Sequence, residues 1–251
     1  MAPLPARGRV FRHRRRVGLG DVSPSGRLRF DAVARYVQDV SNEDTRDASL
    51  DDPMAWVVRR AVVDVRRPAG FGEMVELATF CGAIGSRWAE RRVTITGDDG
   101  ADIDAATVWV HLDVASQRPK RLPEQFHRLF AEAAGGRTVR ARLHLPETPP
   151  QAVDGPAGAV TRHPWPLRFC DFDVIGHLNN AAYWEALAEQ LARRTVVRAQ
   201  MRATVEFHRQ IPPHTSVDVT VSDSDSAVNI WLTDATTGAL LAAAGAWSLP
   251  P

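Results

Sequence analysis

Lysine is almost missing from this sequence. Of its 31 basic residues only Lys120 is a lysine, and all the rest are arginine. Arginine stays protonated and is a poor nucleophile, so Schiff-base chemistry has a single candidate, set in the polar turn Arg118–Arg121. The skew reads as codon usage in a GC-rich genome. Cysteine is also scarce: Cys81 and Cys170 stand far apart and form no CxxC pair. That spacing excludes zinc ribbons and thioredoxin-type redox sites, and a reduced cytosolic setting is the simpler reading. No apolar run reaches the roughly 18 residues that a membrane-spanning helix needs. The basic N-terminus lacks the apolar core of a signal peptide, so a cytoplasmic protein is expected. Net charge is nearly absent too, a formal +1 from 31 basic against 30 acidic residues. A dedicated nucleic-acid binder would carry a large basic excess.

What is present is ordinary globular composition, 44% hydrophobic and 24% charged, not the profile of disorder. The 251 residues suit one large domain or two small ones. An internal repeat favours two. Asp21, Gly26, Arg27 and Leu28 match Asp171, Gly176, His177 and Leu178 as D-x4-G-[RH]-L. Val65–Leu77 matches Phe207–Val219 without a gap, and Ala106–Val110 matches Ala244–Ser248. The three matches fall in the same order at similar offsets.

Each half then reads as loop, helix and several strands. Phe30, Val33, Val37 and Val40 recur at helical spacing. Ala181–Leu191 is apolar nearly all round, the pattern of a helix buried on most sides, and Asn179 or Asn180 suits its N-cap. Strands are expected over 56–65, 74–83, 87–96 and 104–113, and again over 195–207, 216–222, 227–233 and 240–247. Gly97–Gly100 reads as a hairpin turn. Short turns between successive strands imply antiparallel sheets, hence an α+β fold. A short helix beginning near Pro123 closes the first half. The expected domains are 1–134, a Pro/Gly/Ala-rich connector 135–162, and 163–251 carrying the site.

The string Asp171, Asp173, Gly176, His177, Asn179, Asn180, Tyr183 resembles the D-x-D-x-N-G-H-x-N-N-x-x-Y motif of acyl-acyl-carrier-protein thioesterases. Trp56–Arg59, Gly72–Glu76, Thr107–Asp113 and Arg118–Pro123 are similar to that family's N-terminal unit. The resemblance spans about residues 9 to 250. It implies a tandem (double) hotdog, two antiparallel sheets each wrapped around a long helix. It further implies hydrolysis of fatty acyl-acyl carrier protein to free fatty acid, with acyl carrier protein as partner and with no metal and no cofactor. Asp173 and His177 match the family's catalytic Asp and His, with Asn179, Asn180 and Gln210 in support. The family's catalytic Asn position holds Ile175, and its Glu position holds Gln210, so the chain departs from the pattern at two of four polar positions.

Thioester hydrolysis needs an activated water or a carboxylate nucleophile, plus stabilisation of the oxyanion. Asp173 can attack or act as base, His177 can protonate the leaving thiolate, and amides at the start of the 180–191 helix can hold the oxyanion. Each residue has a plainer reading as well. Asp173 could cap the helix, His177 could be structural, and Asn179 and Asn180 could be caps and turn formers. Cys170 is read as core. His208 is a substitute base or a strand-surface histidine. Asp171, Asp173 and His177 could suggest a metal, but no further ligand converges. Arg12–Arg16 is a solvated strand edge or a contact for acidic carrier protein. The first-half loop has only Asp21 as an acid, so that half reads as acyl pocket and scaffold. Alternatives within the fold are a coenzyme A thioesterase, a non-catalytic acyl-binding protein and a hotdog dehydratase. A monomer suffices if the two halves pair, and a homodimer is the other option.

Overall fold

The computed structural model describes residues 1–50, 56–151, 160–193, 200–224 and 226–249. The chain divides into two compact units, Met1–Arg142 and Leu143–Pro251. In the first, helix α1 spans Phe30–Asp47 and helix α2 spans Glu124–Ala134. The strands are β1 Val10–Arg16, β2 Trp56–Arg67, β3 Met74–Ile84, β4 Trp88–Gly97 and β5 Asp102–His111. They lie antiparallel in the order β1-β3-β4-β5-β2. The helical spacing seen in sequence does its work here. Ala32, Val33, Tyr36, Val37 and Val40 make one buried stripe of α1. Burial of each valine contributes roughly 1.5–3 kcal/mol.

The second unit holds helix α3, Asn180–Ala192, and strands β6 Val160–Trp165, β7 Met201–Phe207, β8 Val217–Asp223, β9 Ala227–Asp234 and β10 Leu240–Ser248. Their order is β6-β8-β9-β10-β7, which is the first unit's order with each strand replaced by its repeat counterpart. The repeat in sequence is therefore a repeat in topology. α3 packs on β9 and β10. Its inward residues include Tyr183, Trp184 and Leu187, all buried.

The sequence reading located eight of these strands within about three residues, apart from the start of β7. That strand begins at Met201, and residues 195–199 of the expected span lie outside the described residues. The reading missed β6, which starts inside the stretch taken as connector. β6 contains Pro164, which removes a ladder donor and speaks against a strand. It is tolerated because β6 is an edge strand, paired only with β8 among the described residues. Gly97–Gly100 closes the β4–β5 hairpin through an amide-to-carbonyl bond of 3.0 Å between its end residues. Among the described residues α2 has no counterpart in the second unit. It buries Phe126, Phe130 and Ala134 against Cys81, Ala89 and Leu122, and it ends at Gly135 in the left-handed region.

The segment between the repeats is tied down at both ends. In the first unit Trp88 Nε1 donates to Val139 O at 2.7 Å and Arg60 donates to Arg142 O at 2.6 Å. In the second, Glu206 is fully buried on β7 and accepts the amides of His144 and Leu145 at 2.7 and 3.0 Å. Trp231 Nε1 donates to Pro146 O at 2.7 Å. Gly155 and Pro156, read as part of the connector, lie outside the described residues.

Candidate active site

The motif residues form a closed loop leading into α3. Phe172 and Leu178 bridge its two sides. Asp173 N–H donates to His177 O and Gly176 N–H to Asp173 O, both at 3.0 Å. Gly176 sits at φ +79°, where a side chain carries strain. Leu178 is buried, and its amide donates to Ile211 O at 2.9 Å. That bond holds the loop against the segment that follows β7.

The two motif aspartates do different work. Asp171 is buried and committed: it accepts the backbone N–H of Arg168 at 2.7 Å and the Arg168 guanidinium at 2.7 Å. Arg168 also pairs with Glu185 of α3, and its pKa is raised, first by the Asp171 hydrogen bond. Asp173 is half-buried. Its Oδ1 accepts the Ile175 amide at 2.9 Å and, more weakly, the His177 amide at 3.4 Å. Its Oδ2 takes no hydrogen bond among the described residues. The carboxylate is thus aimed by its own loop and does not cap the helix. Asn179 does that: its Oδ1 accepts the Ala181 amide at 2.9 Å, and its carbonyl accepts from Ala182. The Asn180 amide has no partner among the described residues, so an N–H at the positive end of α3 stays available. Tyr183, one turn into α3, is buried. Its phenol pKa is raised, mainly by burial and also by the charge of Asp173.

The other candidates divide. His177 is half-buried and belongs to the loop, yet its imidazole has no hydrogen-bond partner among the described residues. Nothing there fixes its tautomer or its direction. Ile175 is 50% exposed, so it neither supplies a polar group nor fills the core. Gln210 is exposed in the turn beyond β7, next to the Ile211 carbonyl that anchors the loop. His208 follows β7 and donates its backbone N–H to Leu241 O at 2.9 Å. One expectation is corrected: Cys170 is exposed, not core. It lies in the short 3-10 turn Phe169–Asp171, which turns outward so that Asp171 can turn in. Among the described residues no three His, Cys, Asp or Glu side chains gather as a metal site.

The first unit contains the same loop without the acid. Ser23 and Arg27 pair through a 2.8 Å amide-to-carbonyl bond, Val22 bridges Leu28, and Gly26 sits at φ +77°. Asp21 stands in the place of Asp171, and Ser23 in the place of Asp173. Asp21 is fully spent, accepting Tyr36 Oη at 2.7 Å, the Gly18 amide at 3.2 Å and Arg35 at 3.3 Å. Burial, helped by the Asp21 hydrogen bond, pushes the Tyr36 phenol up to about 12. Arg29 takes the position of Asn179 and bonds Asp31 together with the carbonyls of Gly20 and Val22. This loop is an ion-paired strut. Sequence reasoning missed Glu206 and the Arg168–Asp171–Glu185 chain, although the first Asp of each D-x4-G repeat marks the position that ties the loop.

Two units of five antiparallel strands in matching order, each with a helix against them and one with an aspartate loop at the helix start, define a double-hotdog protein of the thioesterase class. The comparisons place it further. The chain matches the acyl-ACP thioesterase N-terminal domain over residues 8–130 and the acyl-ACP thioesterase C-terminal domain over residues 156–244. It belongs to the acyl-ACP thioesterase family. It is 29% identical over 227 residues to an uncharacterized protein of Mycobacterium tuberculosis, covering 90% of this chain and 88% of that one. It is 26% identical over 196 residues to a chloroplastic palmitoyl-acyl carrier protein thioesterase of Gossypium hirsutum, covering 70% and 44%. Among solved structures, the 12:0-ACP thioesterase of Umbellularia californica superposes with a TM-score of 0.74 at 19% identity, covering 96% and 98% of the two chains. An acyl-ACP thioesterase of Bacteroides thetaiotaomicron superposes with 0.70 at 12% identity, covering 95% and 97%. Among the described residues no helix is long and apolar enough to cross a membrane.

Proposed function

We propose that this protein is a cytoplasmic thioester hydrolase acting on fatty acyl groups carried by acyl carrier protein, and that Asp173 is its principal catalytic group. The observation that carries the reading is the Asp173 carboxylate, with one oxygen anchored on loop amides and the other unspent, at the start of α3. In this reading Oδ2 takes a proton from water, and the water oxygen adds to the thioester carbonyl. The Asn180 amide holds the developing oxyanion. Collapse of the adduct breaks the C–S bond, and the proton returns to the leaving thiolate through His177 or solvent. With Ile175 and Gln210 in place of polar and acidic groups, the carboxylate carries more of the rate than it would beside four polar partners. The first unit, whose loop is locked by Asp21, Arg29 and Arg35, serves as acyl-binding scaffold.

The test is thiol release from acyl groups on carrier protein and, separately, on coenzyme A. Faster release from the carrier-protein ester is expected. Release from coenzyme A alone would move the substrate. Tight acyl binding without release from either would make the chain a non-catalytic acyl binder.

A further inference from the structure

The first unit contains a cavity of ≈ 70 Å³. It lies between the C-terminal half of α1, α2 and one end of the sheet. Its apolar wall is aromatic, made by Trp56, Trp109, Phe126 and Phe130. For scale, an apolar cavity of about 150 Å³ accepts benzene, so this space takes only a few carbon atoms. Its other wall is polar, and Arg91 is the residue that decides what fits.

Arg91 sits on β4 with its side chain only 14% exposed. It is poorly consumed by its neighbours. Its Nη1 pairs with the buried Asp44 and reaches Thr79 Oγ1 at 3.3 Å. Nε and Nη2 make no hydrogen bond among the described residues. The guanidinium stands 5.6 Å from the Phe130 ring centroid. A donor in that position wants an acceptor, because an apolar occupant would cut it off from water and leave it unpaired.

The acceptor should be uncharged. Asp44 is also bonded by Arg9, which in turn pairs with Asp47. The other charged wall residue, Glu90, pairs with Arg92 at 2.7 Å. Arg9, Arg91 and Arg92 therefore face Asp44, Asp47 and Glu90, three charges against three. A carboxylate brought in would be an uncompensated buried charge. Cys81, also on the wall, adds none at neutral pH, since burial pushes its thiol up to about 11. Ser41 and Thr45 donate their hydroxyls to Val37 O and Ser41 O, so they offer acceptor lone pairs to a ligand hydroxyl.

We propose that this cavity binds a short acyl chain bearing an uncharged oxygen, a hydroxyl or oxo group, with Arg91 as its donor. That the ligand is an acyl chain rests on the function proposed above, whereas the choice of oxygen rests on the cavity wall alone. The experiment measures binding of the full-length protein to non-hydrolysable six-carbon acyl amides of pantetheine by calorimetry, with tryptophan fluorescence as second readout. The 5-oxo and 5-hydroxy chains are expected to bind at least tenfold more tightly than the plain hexanoyl chain. The adipoyl chain, with its terminal carboxylate, is expected to bind no better than hexanoyl. Equal affinity for the plain and both oxygenated chains overturns the proposal, and so does tightest binding of adipoyl. Arg91→Met should level the oxygenated and plain chains. Should that variant fail to fold, Ala89→Phe fills the cavity while keeping the ion pairs, and it should abolish binding of the oxygenated chains. Retained binding in it would refute the site. An amide is not turned over, so this result is read separately from thiol release, whose failure would count against hydrolysis and not against the cavity.

Discussion

Replacing Asp173 separates the loop's architecture from its chemistry. In Asp173→Asn the side-chain oxygen can still accept both the Ile175 amide, now at 2.9 Å, and the weaker His177 amide, because both bond the same Oδ1. A neutral acceptor in place of a charged one costs about 1 kcal/mol of stability. Asp173→Ser goes further, but the protein already supplies its template. Ser23 occupies the same place in the first unit, where the loop closes with the same backbone bonds and the same positive-φ glycine. Both variants should therefore fold. Catalysis should suffer far more, because neither Asn nor Ser can accept the proton of the attacking water. Loss of a positioned base costs about 10²–10⁴-fold, or roughly 3–5 kcal/mol of transition-state stabilisation. The assay is thiol release under saturating acyl-carrier-protein substrate, alongside thermal unfolding of the same samples. A rate within threefold of the parent, in variants that unfold at the parent temperature, would refute the assignment of Asp173. Lost activity with a collapsed melting temperature in both variants would refute the claim that the loop stands without its carboxylate.

Four further outcomes follow from particular contacts. Gly176→Ala and Gly26→Ala should each lose about 1 kcal/mol through backbone strain alone, since no atom lies within 4 Å of the added methyl group in either case. Only the first should lower the rate of thiol release, and equal kinetic effects would contradict the assignment of the active loop. Glu206→Gln turns an amide donor toward one of the two connector amides that the carboxylate accepts, and should cost about 2 kcal/mol in a urea titration. An unchanged midpoint would mean that the clamp contributes nothing. Asn179→Ala should lose about 1 kcal/mol with the cap of α3, measured in the same way. In the first unit the partial burial of Asp21 and the full burial of Asp31 raise their pKa values. Hydrogen bonds from Tyr36, the Gly18 amide and Arg35 to Asp21, and from Arg29 and Arg35 to Asp31, outweigh this and lower both. Depressed carboxylates stabilise the fold above the ordinary carboxylate range, and that stability is lost as pH falls through the depressed values. The unfolding midpoint should drop as pH falls below the ordinary carboxylate range, and less so in Asp21→Asn; equal drops would refute the linkage.

How much of this was legible depended on whether a signal was local. The strands announce themselves through runs such as Val62–Val65 and Ala227–Trp231, and α1 through its periodic valines, because alternation and helical spacing are properties of consecutive residues. The repeat was legible because a loop with Asp at one end, Gly at its turn and Leu as its anchor needs those residues at fixed spacing. β6 was not, since it is short, contains a proline and owes its existence to β8. Cys170 was misplaced for a similar reason. A small thiol beside a motif reads as core, while its exposure is set by the neighbouring Asp171, which has to face inward to meet Arg168. The clamp of Glu206 on His144 and Leu145 joins residues about sixty positions apart, and no spacing rule reaches that far. Neither did any pattern mark Arg91 and Asp44, which meet only once α1 lies against the sheet.

On the function proposed above, the two copies of the loop separate frame from chemistry. Both keep the positive-φ glycine, the buried leucine, the aspartate at the first position and the backbone bonds across the neck. None of these differs between the copies, so none of them can be what distinguishes a reactive loop from a strut. Among the positions that differ, three change a titratable or capping group: Asp173 against Ser23, His177 against Arg27, and Asn179 against Arg29. The last of these closes the first loop, because the Arg29 guanidinium fills the hydrogen-bonding positions at its mouth with Asp31 and two carbonyls. Asn179 in the second copy spends its side chain along the helix and leaves the Asn180 amide open. A carboxylate at the place of Ser23 would share its loop with this arginine, whereas Asp173 shares its loop with a helix start whose first amide has no partner among the described residues. On the function proposed above, reactivity requires two substitutions acting together, an acid at one position and a small cap six residues later, on a frame that either copy can build.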